Sequence, residues 1–203
     1  MKDSKFRLKI WESAALAALC LTLLAGTWAQ GRQSSISSSL LRLHVVAASD
    51  EREEQELKLR VRDAVLLYLQ PVLEDAGNSD EAREIIDENL RNIAVAAGRA
   101  APGRKVSVSL AKEHYPTREY EGFTLPEGSY ESLKIVLDGG KGHNWWCIVF
   151  PPLCMDAAQA EQVQSVMSRE DFGLVSGQQD CVLRFKILEI WGRLTDVCRD
   201  RQA

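Results

Sequence analysis

The segment 142–154, with the sequence GHNWWCIVFPPLC, holds the residues of this chain that are best suited to chemistry. A cysteine becomes a nucleophile when a base lies within hydrogen-bond reach and a third group orients that base. His143 precedes Cys147 by four residues, which at strand spacing separates the two by roughly 13 Å. The other two histidines, His44 and His114, could approach Cys147 only through the fold. We therefore interpret Cys147 as structural, and an exported cysteine hydrolase acting on cell wall or peptide is the alternative.

Trp145 and Trp146 stand directly before this cysteine in a run that predicts a strand. Adjacent strand residues point to opposite faces of a sheet, so one Trp can enter the core and the other cannot easily do so. Aromatic side chains concentrate in binding hot spots, which makes the outward Trp a candidate anchor for a protein partner. The alternative is that a C-terminal helix covers it.

The sequence contains no Gly-rich phosphate loop, zinc-protease helix or nucleophile elbow. It has three histidines, whereas a metal site needs three or four ligands that converge in space. We therefore assign no catalytic residue, no metal, no cofactor and no small-molecule substrate.

The first 29 residues are typical of an export signal. Basic residues open this segment: Lys2, Lys5, Arg7 and Lys9. An apolar run of about thirteen residues follows, shorter than the roughly 20 that a spanning helix needs. Small residues at Thr27 and Ala29 predict cleavage after Ala29, and an uncleaved N-terminal anchor is the alternative. Residues 30–39 are polar, and we expect a short mobile tether there.

Export places the remaining cysteines in an oxidising compartment, where an even number allows disulfides. Four remain: Cys147, Cys154, Cys181 and Cys198. The last two stand at opposite ends of a predicted helix, about 25 Å apart and too far to pair. Cys147 and Cys154 flank a Pro-Pro corner that can reverse the chain, so we predict a disulfide between them. The alternative is that all four are small buried hydrophobic residues.

The net charge of −4 argues against nucleic acid as a partner, because phosphate binding needs a basic face. The basic start of the chain lies within the predicted signal, so the exported part is more acidic still. About 170 exported residues suffice for one compact domain with a real core.

Hydrophobic periodicity predicts the order of strands and helices. Apolar or alternating runs predict strands at 40–47, 106–110, 133–137 and 145–150. Apolar residues recurring at three and four predict two helices, the first capped by Ser49 and Asp50 and the second by Ser79. A flexible hairpin at 138–142 is expected to join the last two strands.

Successive strands without helices between them argue against a doubly wound sheet. We predict a single α+β domain with an antiparallel sheet and a helical C-terminal tail. Its predicted parts are a signal at 1–29, a tether at 30–39, a core at 40–155 and an extension at 156–203. Within the extension we expect a weak helix at 157–167, a polar linker at 171–180 and a helix at 181–199.

Two sets of charged residues could face either solvent or a partner. Arg42 and His44 share one face of the first strand, opposite its leucines. Four residues on the first helix are interpreted as a solvated face, and a partner surface is the alternative: Lys58, Arg60, Arg62 and Asp63.

Four motifs, in the right order, resemble the stage II sporulation protein R family. They are 41–69 (LRLHVVAASDEREEQELKLRVRDAVLLYL), 115–117 (YPT), 125–133 (LPxGxYxxL) and 142–154. Together they span roughly residues 40–155, so Cys181 and Cys198 inherit nothing from the family. His143 stands where the family carries a lysine-type residue, which argues further against a catalytic role for it.

The resemblance implies a signalling role in endospore formation. Family members are made in the forespore and exported into the space between forespore and mother cell. There they trigger a membrane-embedded aspartic protease of the mother cell, which removes the inhibitory pro-sequence from the sigma-E precursor. No catalytic residues are implied. The candidate partner-binding residues are Arg42, His44, Arg62, Asp63, Tyr130, Trp145 and Trp146.

Overall fold

The computed structural model describes residues 10–120, 122–152 and 160–176, and the predicted C-terminal helix lies outside them. The helices are α1 (Ile10–Ser38), α2 (Arg52–Val72), α3 (Ser79–Ala100), α4 (Ala160–Val166) and α5 (Arg169–Val175). The strands are β1 (Leu41–Val46), β2 (Val106–Tyr115), β3 (Arg118–Tyr120), β4 (Phe123–Leu125), β5 (Gly128–Leu137) and β6 (Asn144–Phe150). Helices and a sheet in this order confirm the predicted α+β class.

The main sheet has the strand order β2-β5-β1-β6, and β3 and β4 form a separate two-stranded hairpin. β2 with β5 and β1 with β6 are antiparallel, but β1 and β5 are parallel, so the sheet is mixed and not purely antiparallel. The predicted hairpin between β5 and β6 is wrong, because β1 lies between them.

The central position of β1 agrees with its burial. All six of its residues are buried, as expected of a strand covered on both faces. The connection at 138–142 therefore crosses the end of β1. Gly142 N donates a hydrogen bond to Ala47 O over 2.9 Å, and Lys141 N donates to Ala48 O over 3.3 Å. These bonds direct the chain over the end of β1 to the outer side of the sheet.

Helices α2 and α3 cover one face of the sheet. Their apolar stripes include Val61, Val65, Ile86 and Ile93, all fully buried. These side chains pack on strand residues of the same cluster, among them Leu43 of β1. We call this layer, which is the larger of the two apolar cores, the helix-side core.

The opposite face carries a second core, formed by the end of α1, the β3–β4 hairpin, α4 and α5. Its buried members are Ile36, Leu40, Tyr115, Phe123, Leu125, Tyr130, Ile148, Val163, Met167 and Val175. The sheet is therefore a middle layer, and side chains on either face of β1 are enclosed.

Both predicted helix caps are wrong. α2 is preceded by Glu51, which makes no side-chain cap, and Asp50 instead accepts a hydrogen bond from His143 N over 2.6 Å. α3 is capped by Asn78, whose side chain accepts from Glu81 N over 2.9 Å. Asp50 thus binds His143 instead of capping the helix, and α3 begins one residue earlier than the sequence predicted.

α1 continues through Ser38, where the sequence predicted a tether, and α5 occupies the start of the predicted polar linker. Arg32 and Ser35 of α1 hydrogen bond to the carboxylate of Asp171 on α5. Burial alone raises the pKa of this carboxyl, but the bonds from Ser35, Ser168 and Arg32 outweigh it and lower the pKa. By length and composition α1 is able to cross a membrane, and signals and anchors both have this property.

Candidate partner-binding site

β6 presents its two tryptophans to opposite faces of the sheet, as predicted. Trp145 lies opposite Val45 in the β1–β6 register and packs at the edge of the helix-side core. Trp146 lies opposite His44 and packs on the second core. Because the sheet is covered on both sides, both tryptophans are half-buried, and neither is fully enclosed or fully exposed.

Each tryptophan is covered by an arginine. The guanidinium carbon of Arg62 lies 4.4 Å from the ring centroid of Trp145, and that of Arg118 lies 4.5 Å from the ring of Trp146. Both distances are those of cation–π contacts. Arg62 is itself fixed by Asp63, whose carboxylate accepts from its Nε over 2.7 Å. The first-helix arginine therefore packs on the sheet edge and is not simply solvated.

Arg42 is completely buried under the second core. Its guanidinium carbon lies 3.9 Å from the ring centroid of Tyr115 and 5.1 Å from that of Tyr130. Its Nη2 donates a hydrogen bond to the hydroxyl of Tyr120 over 2.8 Å. Three tyrosines from β2, β3 and β5 thus surround one cation.

The tyrosine hydroxyls are held in turn. Tyr115 shares a 2.7 Å hydrogen bond with the hydroxyl of Ser132, and Tyr130 donates to Pro126 O over 2.7 Å. Burial raises the pKa of Tyr115 to about 12, and burial also raises the pKa of Tyr130. Both phenols therefore stay neutral and offer ring faces to Arg42 at every physiological pH.

His44 lies two residues after Arg42 on the same face of β1, between the aromatic rings and the carboxylate of Glu113. Its Nδ1 lies 2.9 Å from Oε2 of Glu113, whose Oε1 accepts from Lys134 Nζ over 2.6 Å. Its ring centroid is 5.7 Å from that of Trp146. His44 is thus a link in a polar row beside the tryptophan.

Lys58 is buried at the beginning of β6. Its Nζ donates to His143 O over 3.0 Å and to Gln55 Oε1 over 2.6 Å. Burial lowers the pKa of this amine, with the charge of Asp50 acting in the opposite direction. The prediction of a solvated face is therefore wrong for Lys58, which anchors the helix to the sheet.

No nucleophile–base pair forms around Cys147 among the histidines. Cys147 faces the helix-side core, whereas His44 lies on the opposite face of the sheet. His143 contacts Asp50, and His114 lies 2.9 Å from Glu127. Cys154 is outside the described residues, so its pairing with Cys147 stays a prediction. Within the described ranges no cluster of three metal-ligating side chains is present.

Sequence reasoning identified Arg42, His44, Tyr130 and both tryptophans, and the structure brings four of these five together on one face. It missed Glu113, Tyr115 and Tyr120 as their neighbours. The predicted strand ended at 110 because the following residues are polar, but β2 runs to Tyr115. The alternation of Ala111, Glu113 and Tyr115 on one face was the available signal.

Comparison with known proteins agrees with the motifs. The family model described as stage II sporulation protein R matches residues 37–160. The stage II sporulation protein R of Bacillus subtilis (strain 168) is 34% identical over 140 residues, covering 66% of this chain and 62% of that relative. The match thus spans less than two thirds of the relative's length, and no solved structure matches. The matched family region contains the whole sheet and the cluster around Arg42, and the chain belongs to the stage II sporulation protein R family.

Proposed function

We propose that this chain is a secreted forespore signalling protein that acts in the space between forespore and mother cell. There it activates a membrane-embedded aspartic protease of the mother cell, which processes the sigma-E precursor. Membership in the sporulation family carries this proposal. The apolar N-terminal helix supports export, whether it is cleaved after Ala29 or retained as an anchor.

Binding, without chemistry of its own, is the mode of action we propose. The described residues offer a cationic and aromatic surface in which Arg118 is exposed and Trp146 is half-buried beneath it. Aromatic and arginine side chains are the usual anchors of protein interfaces. We place the main contact at Trp146 and Arg118, with Arg62 and Trp145 at the neighbouring edge of β6.

Reconstitution in a host that does not sporulate tests the proposed function. The full chain, the candidate protease and the sigma-E precursor are produced together, and cleavage of the precursor is followed by immunoblot. We expect cleavage only when the chain is exported, so deletion of residues 1–29 serves as the control. Cleavage that is unchanged without the chain, or with the deleted form, would contradict the proposal.

An exported cysteine hydrolase remains the competing activity. The sheet separates Cys147 from His44, which removes the base that this activity would need from β1. Cys147→Ser in a chain that still folds and is exported should retain signalling. Loss of cleavage by such a variant, while it still binds its partner, would favour the hydrolase.

The Cys147–Cys154 disulfide belongs to the same proposal, since it would fix the end of β6. Peptide mapping without reductant should recover the two cysteines in one linked fragment. If both are alkylated by a thiol reagent in the exported protein, the pairing is wrong.

A further inference from the structure

The guanidinium of Arg42 is buried, and among the described residues it has no counter-charge. It has no accessible surface, and an arginine stays charged in any protein environment. The described chain offers it one hydrogen bond, to Tyr120, and no carboxylate within ion-pair distance. Within the described ranges its Nε and Nη1 have no hydrogen-bond partner.

An unpaired buried charge is costly, because no attraction to an opposite charge compensates for its desolvation. Cation–π contacts with the rings of Tyr115 and Tyr130 offset part of this cost. A ring face, however, carries no full negative charge and offers no oxygen lone pair to an N–H group. A carboxylate would supply both the missing charge and the missing acceptors.

The cover over Arg42 is a small element. Tyr120 stands at the end of β3, and β3 pairs with β4 alone in a two-stranded hairpin. Tyr120 is half-buried and stacks on Phe123 of the same hairpin, with ring centroids 4.9 Å apart. A group that displaces the Tyr120 hydroxyl would therefore reach Arg42 without disturbing the main sheet.

The same hairpin carries a second cation toward solvent. Arg118, at the other end of β3, is exposed and lies on Trp146. The ring of Trp146 is 6.0 Å from that of Tyr115, which in turn contacts Arg42. An acidic ligand arriving at Trp146 would meet Arg118 first and find Arg42 behind Tyr120.

We propose that Arg42 is the centre of a carboxylate-binding site, entered beside Tyr120. The ligand is an aspartate or glutamate side chain of the protein partner, and the proposal rests on the proposed function for that source. Binding of a carboxylate as such does not depend on it, so the two can fail separately. On this view Arg42 is present for recognition and lowers the stability of the free domain.

The test uses the full chain purified in a non-ionic detergent. Sodium acetate is titrated at ionic strength held constant with sodium chloride, and the Arg42 Nε–H resonance is followed by NMR. In a second arm the probe is a capped peptide with one glutamate, and its matched control carries glutamine instead. We expect a saturable shift with acetate and with the glutamate peptide, and none with the glutamine peptide.

Arg42→Met provides the matched variant, since it keeps an unbranched side chain as far as the position of Nε and removes the charge. We expect its melting temperature to equal or exceed that of the wild type, with the acetate response lost. Arg118→Gln should weaken the peptide response and leave the acetate-induced shift at Arg42 in place.

Two results would overturn the proposal. One is the absence of any saturable shift at Arg42 with either probe. The other is a fall in the melting temperature of Arg42→Met by roughly 6 °C or more, which would make Arg42 a structural residue. A response to acetate but not to the glutamate peptide would overturn the protein source and retain the carboxylate site. If Arg42→Met fails to fold, Arg42 is required for the fold, and this counts as the second of the two results.

Discussion

Lys58 on α2 donates a hydrogen bond to the backbone carbonyl of His143, and Asp50 accepts one from the backbone N–H of the same residue. The two bonds hold both polar groups of one residue at the beginning of β6. Because the tryptophan pair follows directly, this clamp on His143 sets where β6 enters the sheet. Helix α2 thereby positions β6, the edge strand next to β1.

We predict that Asp50→Ala and Lys58→Ala are not additive. Each removes one hydrogen bond of the clamp, worth about 1 kcal/mol of unfolding free energy. Once one bond is lost the segment before β6 is freer, so the second substitution should cost less than it does alone, by about 0.5 kcal/mol or more. Chemical denaturation of the two single variants and the double variant measures this coupling.

Arg52→Ala is the control for the clamp, because its partner Glu56 is an exposed neighbour on the same helix. It should combine additively with either substitution. Additivity of Asp50→Ala with Lys58→Ala would show that the two bonds act independently and that His143 is not a shared anchor.

The two tryptophans should respond differently to truncation. Trp146→Ala is expected to reduce partner affinity by roughly 30-fold, the effect of a hot-spot Trp worth about 2 kcal/mol. Trp145→Ala is expected to act mainly on stability, because Trp145 packs on the helix-side core. Circular dichroism during thermal unfolding and sigma-factor processing, measured on the same variants, separate these effects.

A reversed pattern would relocate the interface to the Trp145 side of β6. Arg62→Gln then serves as the check, since Arg62 covers Trp145 and does not touch Trp146. It should weaken processing less than Arg118→Gln does if Trp146 is the anchor.

Gly142 lies where the connection crosses β1, and a side chain does not fit there. A Cβ added to Gly142 would come within 2.2 Å of Ser49 O, which is backbone and cannot rotate away. We predict that Gly142→Ala destabilises the domain by about 1 to 3 kcal/mol, as overpacking does. Denaturant midpoints compare this variant with the wild type.

Gly98 on α3 is the matched control, because a Cβ there meets nothing within 4 Å. Gly98→Ala should stabilise the domain by about 0.5 to 1 kcal/mol, through the better helix propensity of alanine. Equal effects of the two substitutions would show that the crossing over β1 is loose.

Much of the fold was readable from local patterns, and the strand order was not. Alternation in β2 and β5 and the stripes of α2 and α3 are short-range signals, so their elements were predicted. The insertion of β1 between β5 and β6 depends on which buried strand takes the centre. Asp138 and the glycines after it are compatible with a hairpin as well as with a crossing, so sequence alone favoured the commoner choice.

Part of the candidate site was also predicted from the sequence, and part was not. Arg42, His44, Tyr130 and the tryptophans were found because they stand in a strand or a motif. Tyr120 and Arg118 were not found, because a three-residue strand in a loop-rich segment has no periodicity. The role of Tyr120 depends on a hydrogen bond with Arg42 across 78 residues of sequence, and that of Arg118 depends on its contact with Trp146. No local pattern contains either contact.

The titration of Glu113 makes the stability of the domain depend on pH in the acid range. Burial alone raises the pKa of its carboxyl, but hydrogen bonds from Lys134 and His44 outweigh it and lower the pKa below the ordinary value of 4.5. Because the folded-state pKa is depressed, the stabilisation is fully present above the unfolded-state pKa. It is lost as the pH falls from about 4.5 through the lower folded-state value.

We predict that the wild type loses more stability than Glu113→Gln between pH 6 and roughly pH 3. The groups facing the carboxylate are Lys134 Nζ, His44 Nδ1 and the hydroxyl of Ser132. Replacement by glutamine keeps the shape and removes the titrating group, so this part of the acid dependence should disappear. Glu56→Gln, at an exposed pair, should follow the wild-type profile. Denaturant midpoints are measured against pH for both proteins. Parallel profiles of wild type and Glu113→Gln would show that the ionised Glu113 does not stabilise the polar row beside Trp146.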